Sequence, residues 1–170
     1  LTERLWMSNH ATTFHHRQSS LDLLMNGQIQ ITKAFKPTEF DLSNIDWTMD
    51  PISSKSWRLY LHSLDWLHAL RYSAQTNGKV EDLHRGLEIV RHWWDFNEDR
   101  TQPETMAWDD HATSNRLANL CFWLALSREH ELDCAWLEPI IKYHVEAVNG
   151  FFENGHWIAT NHAIFHIASL

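Results

Sequence analysis

Residues 54–78 have the sequence SKSWRLYLHSLDWLHALRYSAQTNG. Apolar residues recur in it three or four positions apart, as one face of an α-helix requires. The positions that carry this pattern are Trp57, Leu61, Leu64, Leu67 and Leu70. Asn77 and Gly78 then form a pair that is typical of a turn. We therefore predict one helix that begins after Ser54 and ends at Asn77.

The same spacing predicts further helices along the chain, at about 80–96, 109–128 and 133–152. A fifth begins near Thr160 and still follows the helical pattern at Leu170, with no capping glycine, basic last turn or proline. On this ground we expect a chain that is truncated at its C-terminus. Short connections make consecutive long helices antiparallel neighbours, and repeated hairpins of this kind build either a bundle or a helical ring. The predicted fold class is mainly α.

Residues 1–53 lack this pattern, and we expect an irregular N-terminal arm and connector there. Gly27 interrupts the segment, and the alternation at Ile29 and Ile31 predicts a short strand or an extended arm. Two prolines and several Ser, Asn and Asp residues then indicate an ordered connector. The predicted helical domain covers residues 54–170.

Composition limits the class of protein. Apolar residues make up 44% of the 170 residues, which is enough for a core, and no apolar run is long enough to span a membrane. The net charge of −8 argues against nucleic acid as a partner. No basic stretch followed by an apolar one opens the chain, so no secretory signal is visible. Cys121 and Cys134 each lie on an apolar-periodic segment, which predicts two buried thiols rather than a disulfide.

Tryptophan and histidine are enriched, with ten and thirteen residues respectively. Tryptophan usually enters protein cores, but its flat apolar face also suits stacking against a pyranose ring. Histidine serves metal sites, acid–base chemistry or polar positions in a groove. The composition is therefore compatible with a sugar-binding protein without requiring one.

The first candidate site is the segment WDDHATSNR at residues 108–116. A loop turns into a helix there, with Asp109 or Asp110 as the natural N-cap. The residues that share one edge of the helix start are Trp108, His111 and Asn115, with Arg116 alongside. A simple cap whose carboxylate pairs with the arginine explains the same residues, so both interpretations stay open.

The second candidate site is the segment TNHA at residues 160–163, again at a predicted helix start. Backbone N–H groups and the helix dipole favour a bound anion there, and Asn161 and His162 add side-chain donors. A capping residue and a satisfied histidine are the alternative. His162 and His166 have the spacing of a shared metal site, but no HExxH motif or cysteine pair accompanies them. We therefore predict neither a metal nor a cofactor.

Three segments together resemble the N-terminal region of the heparinase II/III-like polysaccharide lyases. Residues 57–67 are similar to the family's opening toroid helix, with its Trp, its Leu-His and its paired aromatic residues. Residues 108–116 are similar to its W-x-D-H-A-x-x-x-R stretch, and residues 160–163 to its Asn-Asn-His-Gly segment. Thr160 and Ala163 depart from that last motif. The likeness covers roughly residues 45–170.

This resemblance implies part of an incomplete (α/α) toroid, which further toroid helices and β-sandwich domains of the same parent chain would complete. It implies β-elimination on an acidic polysaccharide that contains uronic acid. By resemblance the catalytic residues are Asn161, which would stabilise the charge that develops on the sugar carboxylate, and His162, as its partner or as an acid–base group. The substrate-binding residues would be Trp108, His111, Asn115 and Arg116.

In this family a tyrosine usually acts as base and acid from a later helix, which we expect beyond Leu170. The chain alone should then be inactive. The resemblance favours a periplasmic or secreted location and leaves open which polysaccharide is cut. Two other functions remain: a toroid-type glycoside hydrolase with Asp109 or Asp110 as base, and a non-catalytic carbohydrate-binding domain.

Overall fold

The computed structural model describes residues 18–99 and 106–153, except for the side chains of residues 152 and 153. Within these ranges the chain is mainly helical, as predicted. The helices are α1 (Gln18–Met25), α2 (Lys55–Ser63), α3 (His68–Asn77), α4 (Val80–Asn97), α5 (Asp110–Glu129) and α6 (Leu137–Glu153). Two short strands, β1 (Gln28–Ile29) and β2 (Thr38–Glu39), pair antiparallel.

The prediction of one continuous helix between Ser54 and Asn77 is wrong. Ser54 does cap the start, since its side chain accepts a hydrogen bond from the backbone N–H of Trp57. However, α2 ends at Ser63, because Leu64 adopts a left-handed conformation with φ of 60° that no right-handed helix can contain. One 3-10 turn at Asp65–Leu67 then leads into α3. The apolar spacing continues across the break and so conceals it.

The expectation of an irregular segment up to residue 53 is wrong in one place, since α1 lies within it. Leu21 and Leu24 are three positions apart on α1 and are both buried, where the helix packs on α3 and β1. Gly27, with φ of +72°, turns the chain after α1. The short strand predicted near Ile29 is present as β1. A helix of two turns has too few apolar positions to stand out in a sequence pattern.

The later predicted helices are confirmed where the structure describes them. α4 and α5 begin and end close to the predicted residues, and α6 begins at Leu137 rather than near Asp133. The helix expected from Thr160 onward lies outside the described residues. No helix of the described ranges is long and apolar enough to cross a membrane.

The helices pack as hairpins around a core rich in tryptophan. α3 packs on α4, which follows it after the turn at Gly78, and α5 packs on α6 and on α2. The Trp123 ring of α5 packs directly on Gly86 of α4, where a Cβ atom would overlap the ring. The largest fully buried side chains include Trp47, Trp57, Trp93, Trp123 and Arg116.

Both cysteines are free thiols, as predicted, but only one is buried. Cys134 belongs to the core, whereas Cys121 on α5 is exposed. The prediction of two buried thiols is therefore wrong for Cys121. The segment around Cys121 is apolar on more than one side, so its periodicity does not tell which side faces solvent.

Candidate functional site

The break between α2 and α3 lies at the centre of the candidate site. A helix that ends leaves its last carbonyl groups without partners inside the helix. Two side chains of α5 donate hydrogen bonds to these carbonyl groups. Arg116 Nη1 donates to the His62 carbonyl oxygen at 2.7 Å, and Asn119 Nδ2 donates to the Ser63 carbonyl oxygen at 3.2 Å. Arg116 and Asn119 are three residues apart, hence on one face of α5, and together they hold the break in place.

The Arg116 guanidinium is fully buried among aromatic rings. Its carbon lies 3.8 Å from the ring centre of Trp93 and 5.0 Å from that of Trp108. Its Nε donates to His144 Nε2 at 2.8 Å. Cation–π attraction is strongest where the cation is desolvated, as here. In this structure Arg116 therefore contacts protein groups, and any effect on a substrate would pass through its neighbours or its electric field.

Hydrogen bonds assign the protons on the two buried imidazoles beside Arg116. His144 Nδ1 lies 2.8 Å from the Ile140 carbonyl oxygen, which can only accept, so Nδ1 carries the proton and Nε2 accepts from Arg116. His62 Nδ1 accepts from Trp93 Nε1 at 3.1 Å, so the proton of His62 sits on Nε2. Both rings are therefore neutral. Burial, and then the positive charge of Arg116, lower the pKa of His62 to about 3.

A second histidine–tryptophan pair extends this cluster to the protein surface. The buried Trp47 donates from Nε1 to His92 Nδ1 at 3.0 Å. Its ring centre lies 6.1 Å from the rings of both His62 and His92. Since His92 is exposed, Trp47 links the surface of α4 to the buried cluster.

The residues predicted at the start of α5 separate into two environments. Trp108 is half-buried, donates from Nε1 to the Asn97 carbonyl oxygen at 2.6 Å, and lies 5.4 Å from the Tyr143 ring. His111 is half-buried with its ring 6.3 Å from that of Tyr60 on α2. Asn115 is half-buried on α5. Trp108 and Arg116 therefore come together at one cluster, while His111 lies against the aromatic side chain of α2.

Asp109 is the N-cap of α5, which confirms one of the two expected capping residues. Its Oδ1 accepts from the backbone N–H groups of His111 at 3.0 Å and Ala112 at 3.4 Å. Asp110 Oδ1 accepts from the same His111 N–H at 2.7 Å. Burial, and then the neighbouring Asp110 carboxylate, raise the pKa of Asp109. Asp109 is thus a partly buried carboxyl group with a structural role.

Asp65 lies directly after the break, and it was not among the site residues predicted from the sequence. It is buried, and its Oδ1 accepts from Asn119 Nδ2 at 2.7 Å. Burial raises the pKa of Asp65, although the bonds from Asn119 and Ser63 and the charge of Arg71 oppose this effect. Asn119 therefore binds both the carbonyl of Ser63 and the carboxylate that follows it.

His62, Trp93 and His144 were also not recognised as members of the site. His144 did give a signal, because it lies on the apolar stripe of α6 three to four residues from Ile140, Ile141 and Val148. A polar residue at such a position needs a buried partner. The partner itself, Arg116, could not be deduced from α6 alone.

The predicted catalytic pair, Asn161 and His162, lies outside the described residues, and so do the rest of the segment 160–163 and His166. Among residues 18–99 and 106–153, no group of three or more His, Cys, Asp or Glu side chains is arranged to hold a metal ion. No family model, no curated protein and no solved structure matches the chain.

Proposed function

We propose that this chain is the N-terminal helical portion of a polysaccharide lyase that cleaves a uronic-acid-containing polysaccharide by β-elimination. One observation carries the proposal: the two described segments that resemble the heparinase II/III-like lyases contact each other. Arg116, at the end of the segment 108–116, donates to the carbonyl of His62 in the segment 57–67, across 54 positions of the chain. Two weak motifs that fold into one cluster support a common origin better than either does alone.

The proposed reaction removes the proton at C5 of the uronate ring, forms a double bond between C4 and C5, and breaks the bond from C4 to the glycosidic oxygen, which takes up a proton as it leaves. Negative charge develops on the adjacent carboxylate, and donors aimed at it lower the barrier. Asn161 is the proposed donor, and His162 is its partner or an acid–base group. Trp108 would offer a half-buried ring to the sugar, and the half-buried His111 and Asn115 would bind polar groups of the polysaccharide.

Arg116 supports this proposal through its charge rather than by contact. The whole chain carries −8, which would repel a polyanion. A buried guanidinium is screened less by water than a surface charge, so its field reaches its neighbours more strongly. Burial lowers the pKa of His62, and the positive charge of Arg116 is the second cause. We propose that Arg116 positions Trp108 and His144 and offsets the net charge of the chain locally.

The hairpin of α3 and α4 and the hairpin of α5 and α6 would be consecutive parts of an (α/α) toroid. In the family such a toroid is completed by more helices and is followed by β-sandwich domains. The general base would be a tyrosine outside residues 1–170. The isolated chain would then lack activity, and the assay needs the longest natural protein that contains these residues.

The test follows the ultraviolet absorbance of the unsaturated uronate product on a panel of uronate polysaccharides. We expect Asn161→Ala to slow the reaction about a hundred- to thousandfold, the usual effect of losing one such donor. His162→Ala should also abolish most of the activity. The matched control is Asn149→Ala, at an exposed position of α6, which should retain the wild-type rate.

Other outcomes would favour a different function. New reducing ends without unsaturated product would indicate a glycoside hydrolase. Polysaccharide binding without any cleavage would indicate a non-catalytic carbohydrate-binding domain. Full lyase activity in the Asn161→Ala variant would contradict the role proposed for that residue.

A further inference from the structure

An open cleft lies between α1, the segment 39–45 that begins in β2, and α4. Its volume is about 1050 Å³, which is near the upper end of the usual range for small-molecule sites. The lining on the α4 side comes from Arg85, Glu88, Ile89 and His92, which follow one stripe of that helix. None of the residues proposed above to bind polysaccharide lines it, so the proposed lyase function assigns no role to this cleft.

The floor of the cleft is apolar and firmly held. Its buried side chains are Leu24, Phe40, Ile45 and Ile89. The Phe40 ring lies 5.1 Å from the Trp66 ring in an edge-to-face contact. The Phe40 backbone N–H also donates to the Gly27 carbonyl oxygen at 2.8 Å. These four side chains are almost fully buried, so the apolar surface that an occupant could cover belongs mainly to Met25, which is 51% exposed, and to the half-buried Leu42.

The rim of the cleft is negatively charged. Glu39, Asp41 and Glu88 are exposed carboxylates along it. Arg85 is the one Lys or Arg side chain among the lining residues, and its Nη1 lies 4.0 Å from the carboxylate of Asp82, three residues earlier on α4. The charge of Arg85 is thus partly balanced within its own helix, and the rim keeps an excess of negative charge.

Local hydrogen bonds fix two of these carboxylates in place. Asp41 Oδ1 accepts from Ser43 Oγ at 2.6 Å and from the Ser43 backbone N–H at 2.8 Å. These bonds lower the pKa of Asp41 because they favour its ionised form. Glu39 accepts from the Gln28 side chain at 3.2 Å across the β1–β2 pair. Asp41 and Glu39 are therefore held by neighbouring residues, whereas Glu88 is an exposed side chain on α4.

We propose that this cleft binds a small organic cation with an apolar body, such as an alkylammonium ion. The apolar body would cover Met25 and Leu42, and the ammonium group would lie between Asp41 and Glu88. Charge complementarity selects this occupant, because the same rim would repel a polyuronate or a fatty acid. The inference does not depend on the proposed lyase function.

The experiment titrates the full chain with octylammonium chloride and follows two-dimensional NMR spectra, with sodium octanoate as a probe of equal chain length and opposite charge. The indole N–H of Trp47 reports on the cleft because it bonds to His92 in the lining. Trp47→Phe identifies that signal. We expect saturable shifts of this signal and of cleft amides with octylammonium, and none with octanoate at the same concentration.

Variants test whether the rim is responsible. Glu88→Gln should weaken octylammonium binding about three- to fivefold, the effect of losing one exposed ion pair. The matched control, Glu146→Gln, changes an exposed glutamate on α6 away from the cleft and should leave binding unchanged. Equal shifts with octanoate, no saturable shift with octylammonium, or identical binding by Glu88→Gln would each overturn the proposal.

Discussion

Acid should destabilise this fold through His62 in particular. The pKa of His62 is about 3 in the folded protein, against an ordinary value of 6.5. Between these values the unfolded chain binds a proton at His62 that the folded chain does not, so the free energy of unfolding falls as the pH falls. The stability is fully present above pH 6.5 and is lost progressively toward pH 3. From pH 7 to pH 4 the loss is about 3 kcal/mol, at about 1.4 kcal/mol per pH unit below 6.5.

The comparison that isolates this effect uses the variant His62→Asn. The asparagine oxygen can accept the Trp93 indole N–H in place of His62 Nδ1, and the side chain does not titrate. Urea unfolding at pH 7 and pH 4, followed by circular dichroism, gives the change in unfolding free energy for each protein. The smaller side chain lowers stability at both pH values, so only the difference between them is diagnostic.

Between pH 7 and pH 4, we expect the unfolding free energy of the wild-type protein to fall by about 3 kcal/mol more than that of His62→Asn. The control His84→Asn, at an exposed position of α4, should behave like wild type. If wild type and His62→Asn lose the same amount, His62 does not resist protonation in the fold. The argument for a buried neutral ring beside Arg116 would then be refuted.

Two further predictions concern close packing and the helix break. Gly86→Ala should destabilise the protein by about 1–3 kcal/mol in calorimetry because its Cβ would enter the Trp123 ring. Gly150→Ala should instead stabilise α6 by up to about 1 kcal/mol, because no atom of the described residues lies within 4 Å of the new methyl group. Equal effects of the two substitutions would contradict the packing argument. Asn119→Ala should lower the free energy of unfolding in urea by about 2–4 kcal/mol, because it leaves the buried carboxyl group of Asp65 without its 2.7 Å donor. A decrease below about 1 kcal/mol would contradict that role of Asn119.

The helical class and most helix bounds were predictable from the sequence, because one face of each long helix repeats apolar residues. The break at Leu64 was not. The Trp66 indole N–H donates to the Leu61 carbonyl oxygen at the break, and Arg116 and Asn119 of α5 bind the next two carbonyl groups. The two α5 residues lie more than fifty positions away, so the local pattern does not reveal them. The short helix α1 was not predicted for a different reason, because its 8 residues are too few to show a clear helical repeat.

The candidate site was predictable only in its local part. The cap at Asp109 follows from residue type at a helix start, and Trp108 and Arg116 belong to one short segment. The partners of Arg116 come from two other helices, with His62 on α2 and His144 on α6. Each was visible only as a histidine on an otherwise apolar pattern. The contacts of Arg116 with these two histidines depend on how the helices pack, which a local sequence pattern does not contain.

The most direct measurement of the proposed function compares two products of the same reaction. The longest natural protein that contains residues 1–170 is incubated with a panel of uronate polysaccharides, and unsaturated uronate ends and new reducing ends are counted together. β-Elimination predicts one new double bond for every chain that is cut. Chain cuts that yield reducing ends but no double bonds would contradict the lyase proposal.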